Sequence, residues 1–278
     1  MKIFYRISDN SYEKQKLPGT SKETCLMNFV QAFADVIFPE GPETKNPPIR
    51  IIADNCSRKT NKMLQQSGLP MTITSLGNAG SFRHALDLAL EENDDEVIYF
   101  VEDDYLHLPK APKLIEEGIK RCDYLTLYDH PDKYTRYYEG GETSKVIKTE
   151  SSHWRYTAST CMTFASTVKT LKEDQEVWKK HTEGDHPYDH QIFSELDNRR
   201  LAVCIPGAAC HTDLAFSGIV KHVLIESWAI DLMTQKLEND LENSEIEIPY
   251  KQMIGDRKGW EKLTFLDAMT YHQNLHQN

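Results

Sequence analysis

Val97-Ile98-Tyr99-Phe100-Val101-Glu102-Asp103-Asp104 drives five apolar or aromatic residues straight into three consecutive acids. An unbroken apolar run of this length suits a strand covered on both faces, as in a parallel sheet packed between helices. In open α/β sheets, ligands bind where such strands end. Three carboxylates crowded at that end repel one another unless positive charge sits among them, and a divalent cation shared with a phosphate-bearing substrate supplies it through oxygen ligands. The competing reading is a solvated acidic turn near a helix start, where acids are common.

The flanking segments extend the α/β pattern. Lys2 to Ile7 reads as a strand, and Thr20 followed three residues later by Glu23 has the spacing of a capping box. The helix it opens carries Leu26, Phe29, Val30, Phe33 and Ile37 on one face and stops at Pro39 and Gly41. Ile49 to Ala53 is a second strand ending in Asp54-Asn55, a short helix from Lys59 to Gln66 stops at Gly68, and Met71 to Leu76 is a third strand. The turn Gly77-Asn78-Ala79-Gly80-Ser81 leads into a helix with Phe82, Ala85, Leu86, Ala89 and Leu90 on one stripe. Beyond the acids, Pro109 and Pro112 open a helix facing Leu114, Ile115 and Ile119 inward, and Asp123 to Tyr128 is a further strand. Strands alternating with helices predict a mainly parallel, mixed sheet flanked by helices.

After residue 128 the texture changes. Asp129 to Ser152 has no clean period and reads as a mobile flap. Trp154 to Phe164 is extended, Ala165 to Asp174 a short helix, and Ile192, Phe193 and Leu196 line one side of another helix. Leu201 to Ile205 is a strand broken by Pro206-Gly207 ahead of His211. From Val220 the chain reads as helical, with Leu224, Trp228, Leu232 and Met233 packing on the body. The expected organisation is therefore one domain over 1–215, divided at 128 into two halves, with a C-terminal helical extension over 216–278.

Composition excludes several classes. A net charge of −11 leaves no basic excess to neutralise phosphates along a duplex, so no nucleic-acid partner is expected. No run of about twenty apolar residues exists, hence no transmembrane segment, and the polar start is unlike a signal peptide. The expected location is cytoplasmic. Six scattered cysteines without a CxxC pair fit buried thiols better than a disulfide framework or a zinc ribbon.

The motifs YRISDN (Tyr5 to Asn10), IIADNCS (Ile51 to Ser57), LGNAGSFRHAL (Leu76 to Leu86) and VIYFVEDD (Val97 to Asp104), in this order, resemble the GT-A (Rossmann-like) glycosyltransferases. The triplet beginning with Glu is similar to that of the N-acetylglucosaminyltransferases with a Glu-Asp-Asp variant of the Asp-x-Asp motif. The resemblance implies Mn²⁺ or Mg²⁺ held by Asp104, with Glu102 acting through water or on the ribose. It implies a nucleotide diphosphate sugar, a UDP-sugar, bound by Tyr5, Arg6, Ser8, Asp54, Asn78, Ser81, Arg83 and Asp103. It also implies His211 ligating the metal or steadying the diphosphate, and a carbohydrate or glycoconjugate acceptor. An inverting transfer needs a base for the acceptor hydroxyl, and Asp189, with Asp185 second, lies in a segment placed like the family's base loop.

Chemistry supports these residue types. Negative charge develops on the departing diphosphate, and a metal ion stabilises it as a Lewis acid. The Gly77 to Ser81 turn offers backbone N–H groups at a helix start, where anions are favoured. Each residue also has a plainer reading: an ordinary turn for Asp54 and for Gly77 to Ser81, a surface cation for Arg83, a helix N-cap for Asp189, and a satisfied loop histidine for His211. Trp154, Tyr156, Tyr134, Tyr137 and Tyr138 form a candidate sugar platform, although aromatic residues also simply pack. Three alternatives stand beside the transferase: a nucleotidyltransferase of nucleotide-sugar synthesis, a metallohydrolase built on His181, Asp185, His186, Asp189 and His190, and a non-catalytic carbohydrate-binding protein. Pro187 forbids a continuous helix through the histidine cluster, and the His pair with an intervening Glu is absent.

Overall fold

The computed structural model describes residues 1–10, 15–39, 47–134, 144–213 and 217. Apart from residue 217, the expected C-terminal extension lies outside the described residues, as do Tyr137, Tyr138 and the middle of the expected flap. The first half of the chain alternates β1 (Lys2–Ser8), α1 (Lys22–Ala32), α2 (Ala34–Ile37), β2 (Ile49–Asp54), α3 (Arg58–Ser67), β3 (Met71–Thr74), α4 (Gly77–Leu90) and β4 (Val97–Glu102). The second half adds β5 (Tyr105–His107), α5 (Ala111–Gly118), β6 (Tyr124–Thr126), β7 (Val146–Lys148), β8 (His153–Tyr156), β9 (Phe164–Thr167), α6 (Val168–Glu173), α7 (Gln175–Lys180), α8 (Asp189–Glu195), β10 (Leu201–Ile205) and β11 (Ala209–His211).

Among the described residues, nine strands form one sheet in the order β3-β2-β1-β4-β9-β6-β10-β8-β7, and β5 pairs with β11 separately. The block β3-β2-β1-β4 is wholly parallel, whereas β9 runs antiparallel to both β4 and β6. This is the expected α/β class: a mixed, mainly parallel sheet flanked by helices.

The sheet is buried on both faces because its strands alternate two apolar sets. Ile3, Tyr5 and Ile7 of β1 join Tyr99 and Val101 of β4 in a core shared with Phe29 and Phe33 at α1 and with Leu114 and Ile115 of α5. Phe4, Ile98 and Phe100 face the other way, into a core shared with Phe82 and Leu86 of α4, Trp178 of α7 and Phe193 of α8. In this second core Phe164 stacks on Trp178 with centroids 5.1 Å apart, and Phe82 lies 5.3 Å from Phe100. Burying each such ring stabilises the fold by about 1.5–3 kcal/mol.

Three local expectations are corrected. The capping box of α1 is one residue later than Thr20 and Glu23: Ser21 Oγ accepts the Thr24 N–H and Thr24 Oγ1 accepts the Ser21 N–H. Thr20 instead donates its hydroxyl to the Leu17 carbonyl at 2.6 Å, closing the preceding turn. Residues 165–167, expected as helix, are strand β9, because Phe164 to Ser166 are buried between β4 and β6, and α6 begins only after Thr167 caps it. Finally, Trp154 is fully buried rather than part of a sugar platform. Its ring so closely approaches Gly118 that a Cβ there would meet it at 2.7 Å.

Candidate active site

The same alternation that builds the two cores aims the site residues. On the face covered by α4, β1 continues from Phe4 to Arg6 and β4 from Phe100 to Glu102, and the parallel register sets Arg6 beside Glu102. Arg6 Nη2 lies 3.7 Å from Glu102 Oε1 and donates to Asn78 Oδ1, with its guanidinium carbon 5.5 Å from the Phe82 ring centroid. Burial pushes the Glu102 carboxyl up to about 7 against the pull of Arg6. Tyr5, one residue away, points into the opposite core against Phe29 and does not reach the cleft. Its expected contact with a nucleotide is therefore corrected: adjacent strand residues cannot share a face.

Asp103 turns toward β1 and α1. Its Oδ2 accepts the Ser8 N–H at 3.0 Å and the Lys22 ammonium at 2.6 Å. Burial raises this carboxyl, and Lys22 opposes the rise.

Asp104 is held by a segment distant from it in sequence. Strand β11 runs antiparallel to β5 with His211 opposite Tyr105, and the Thr212 N–H donates to the Asp104 carbonyl at 2.7 Å. The register places His211 Nε2 3.3 Å from Asp104 Oδ2. His211 Nδ1 accepts the Asp213 N–H at 3.0 Å, so the ring proton of the neutral form resides on Nε2, which donates toward Asp104. In this tautomer His211 orients the Asp104 carboxylate.

The start of α4 differs from the expected open anion cradle. Asp54, at the end of β2, accepts the N–H groups of Leu76 at 2.6 Å and Gly77 at 3.0 Å, along with Thr74 Oγ1 and Asn55 Nδ2. The Ala79 N–H donates to the Asp185 carbonyl at 3.3 Å. A carboxylate at a helix N-terminus is favoured by the helix dipole, so Asp54 acts as the cap that Leu76 lacks. Gly77 takes a φ of 77°, which suits glycine alone at that first turn.

These elements enclose a cleft of about 900 Å³. Arg6, Ser8, Asp54, Asn78, Ser81, Arg83 and Asp103 line it together with Glu102, Asp104 and His211. Asp185 and Asp189 line it too, from the loop before α8 and its first turn. Burial raises the Asp189 carboxyl, while the His190 N–H, donating to Oδ1 at 2.7 Å, holds its orientation. Sequence reasoning missed Asn10, Asn55, Leu76, Tyr128, His130, Cys161 and Met162, which also line the cleft, and Lys22 behind it. The hydrophobic spacing of α1 gave no reason to look at Lys22, and the others lie in turns or loops.

Among the described residues, no three His, Cys, Asp or Glu side chains converge as a ready metal cage. Of the histidines in the 181–190 cluster, His181 pairs with Glu195 at 2.7 Å. The donor set around Asp104 nonetheless fits Mg²⁺ or Mn²⁺ of the substrate-completed kind, which takes one or two carboxylates and fills its remaining positions with phosphate oxygens and water.

No protein-family model matches the chain, and no curated protein matches it in sequence. Solved structures resemble it in part. The 1–349 fragment of TarS from S. aureus is 18% identical with a TM-score of 0.41, the match covering 87% of this chain and 67% of that one. The galactosyltransferase LgtC, complexed with donor and acceptor sugar analogues, gives 14% and 0.38 over 73% of each chain. A CMP:2-keto-3-deoxy-manno-octonic acid synthetase with CTP gives 12% and 0.44 over 85% of this chain and 100% of that one. Similarity at this level is a likeness of chain course and assigns no activity.

Proposed function

We propose that the protein is a metal-dependent GT-A-type glycosyltransferase that moves a sugar from a nucleotide diphosphate donor, a UDP-sugar, to a carbohydrate hydroxyl with inversion. The observation that carries this reading is that the Glu102-Asp103-Asp104 triplet at the end of β4 and Asp189 at the start of α8 line one cleft. The triplet suits a cation with its diphosphate; Asp189 suits a base.

In this reading Asp104, oriented by His211, holds Mn²⁺ or Mg²⁺, and the ion when bound supplies Lewis-acid stabilisation of the departing diphosphate. Asp189 accepts the acceptor hydroxyl proton as the acceptor oxygen bonds to the anomeric carbon. The bond from that carbon to the diphosphate oxygen breaks, and its electron pair leaves with the phosphate. A carboxyl raised by burial is a better base than an ordinary one, provided it is ionised at the working pH. Arg83 and Ser81 of α4 line the side where phosphates would lie. A cation there favours them.

Calorimetry with UDP, with and without Mn²⁺, tests the reading. Metal-dependent UDP binding that Asp104→Asn abolishes in a folded protein supports it, and UDP binding unaffected by both metal and that substitution refutes it. Transfer of labelled sugar from a panel of UDP-sugars then separates the transferase from a nucleotidyltransferase, which would instead release pyrophosphate from a nucleoside triphosphate.

A further inference from the structure

We propose that Lys22 and Arg6 are resident counter-cations of the acidic triplet, which keep the site from gripping a divalent ion by itself and so couple entry of the ion to entry of the diphosphate. This rests on the function proposed above and concerns two residues to which that reading gives no such task.

Lys22 occupies an unfavourable position for a cation. It is the first residue of α1, directly after the Ser21 cap, where the helix dipole disfavours positive charge. Its side chain is only 23% exposed, and its ammonium lies 2.6 Å from Asp103 Oδ2. The ion pair with Asp103 therefore offsets both the dipole and the partial burial. Arg6 is more deeply enclosed, with a side chain 9% exposed, and faces Glu102 across the β1–β4 register. Its Nε and Nη1 are buried without a hydrogen-bond partner among the described residues, so hydrogen bonding alone does not account for its burial beside the acids.

The consequence is a matter of charge. When all three carboxylates are ionised the triplet carries −3, and the two cations reduce that to −1. A divalent ion approaching alone meets one net negative charge and two positive groups. Arriving with a diphosphate, the same ion brings its own anionic oxygens, and the two cations then favour the complex. Ion and diphosphate each strengthen the other's binding, reciprocally.

The test measures Mn²⁺ affinity by the electron paramagnetic resonance signal of free Mn²⁺, with and without UDP, corrected for Mn²⁺ binding to UDP in solution. Wild-type protein, Lys22→Met and Lys22→Arg are compared, each checked for an intact fold by circular dichroism, with Lys22→Gln replacing the Met variant should that one misfold. The wild type binds Mn²⁺ alone weakly and at least about tenfold more tightly with UDP. Removing the charge tightens Mn²⁺ alone by at least about tenfold, the effect of one unit charge on a divalent ion a few ångströms away even at the screening of bulk water, and shrinks the effect of UDP. Lys22→Arg resembles the wild type. If the uncharged variant binds Mn²⁺ alone no more tightly than the wild type, the counter-cation proposal is overturned while the metal reading stands. If no form binds Mn²⁺ even with UDP, the metal reading fails and this proposal with it.

Discussion

Replacing Glu102 by Gln in metal-free protein is expected to stabilise the fold, and by more as the pH rises. The buried carboxyl is raised from an ordinary value of 4.5 to about 7. A carboxyl raised on folding contributes stability that is fully present below its unfolded value and is lost as the pH climbs through the folded one. Gln mimics the protonated form at every pH. The gap between variant and wild type should thus be near zero below about pH 4, open between 4.5 and 7, and level off by about pH 8. At 1.36 kcal/mol per unit, a shift of this size corresponds to about 3 kcal/mol. For a chain of this length that is a rise in Tm of roughly 5–10 °C. Urea denaturation of both proteins at pH 5, 6, 7 and 8, in the presence of a chelator, reads the difference directly. A gap that stays constant across this range, or a wild type that is the more stable at pH 8, would show that Glu102 is not held in a desolvated, charge-averse position beside Arg6.

Three further outcomes follow from the geometry. Asp189→Asn should lower kcat by about 10²-fold or more with little change in donor KM, and the acid limb of the wild-type profile should lie above the ordinary carboxylate range, activity falling as the pH drops through it; steady-state kinetics against pH checks both. Asp54→Ala should cost roughly 2–5 kcal/mol, because the Leu76 and Gly77 N–H groups lose their acceptor at the start of α4, and thermal melts would measure it. Tyr5→Phe should leave UDP affinity unchanged and stability equal or higher, since the Tyr5 hydroxyl is buried without a hydrogen-bond partner among the described residues; a loss of UDP binding in calorimetry would contradict its place in the core.

Much of the fold is legible from local pattern. The acid-ended strand β4, the helix stripe of Phe82, Ala85, Leu86 and Ala89, and the Gly68 stop each follow from periodicity and backbone preference, and each is present. Strand β9 was not legible, because a four-residue segment between two long-range neighbours owes its conformation to β4 and β6 rather than to itself. The site shows the same division. Asp104 and Asp189 lie at recognisable element ends, but the cation on Asp103 comes from a residue 81 positions away in sequence. The position of Tyr5, by contrast, was available in advance: once Arg6 is assigned to the cleft, strand alternation excludes its neighbour. The Asp54 side chain read equally well as a ligand contact or a turn, and only its four internal donors decide that it fastens α4 to β2.

The hydrogen bond from the Ala79 amide to the Asp185 carbonyl bridges the two banks of the cleft. One bank begins the helix carrying Ser81 and Arg83; the other is the loop that delivers Asp189 four residues later. A strut of this kind makes the gap a property of the backbone rather than of side chains. Substitutions along residues 77–81 that shift the first bank will therefore also displace the second.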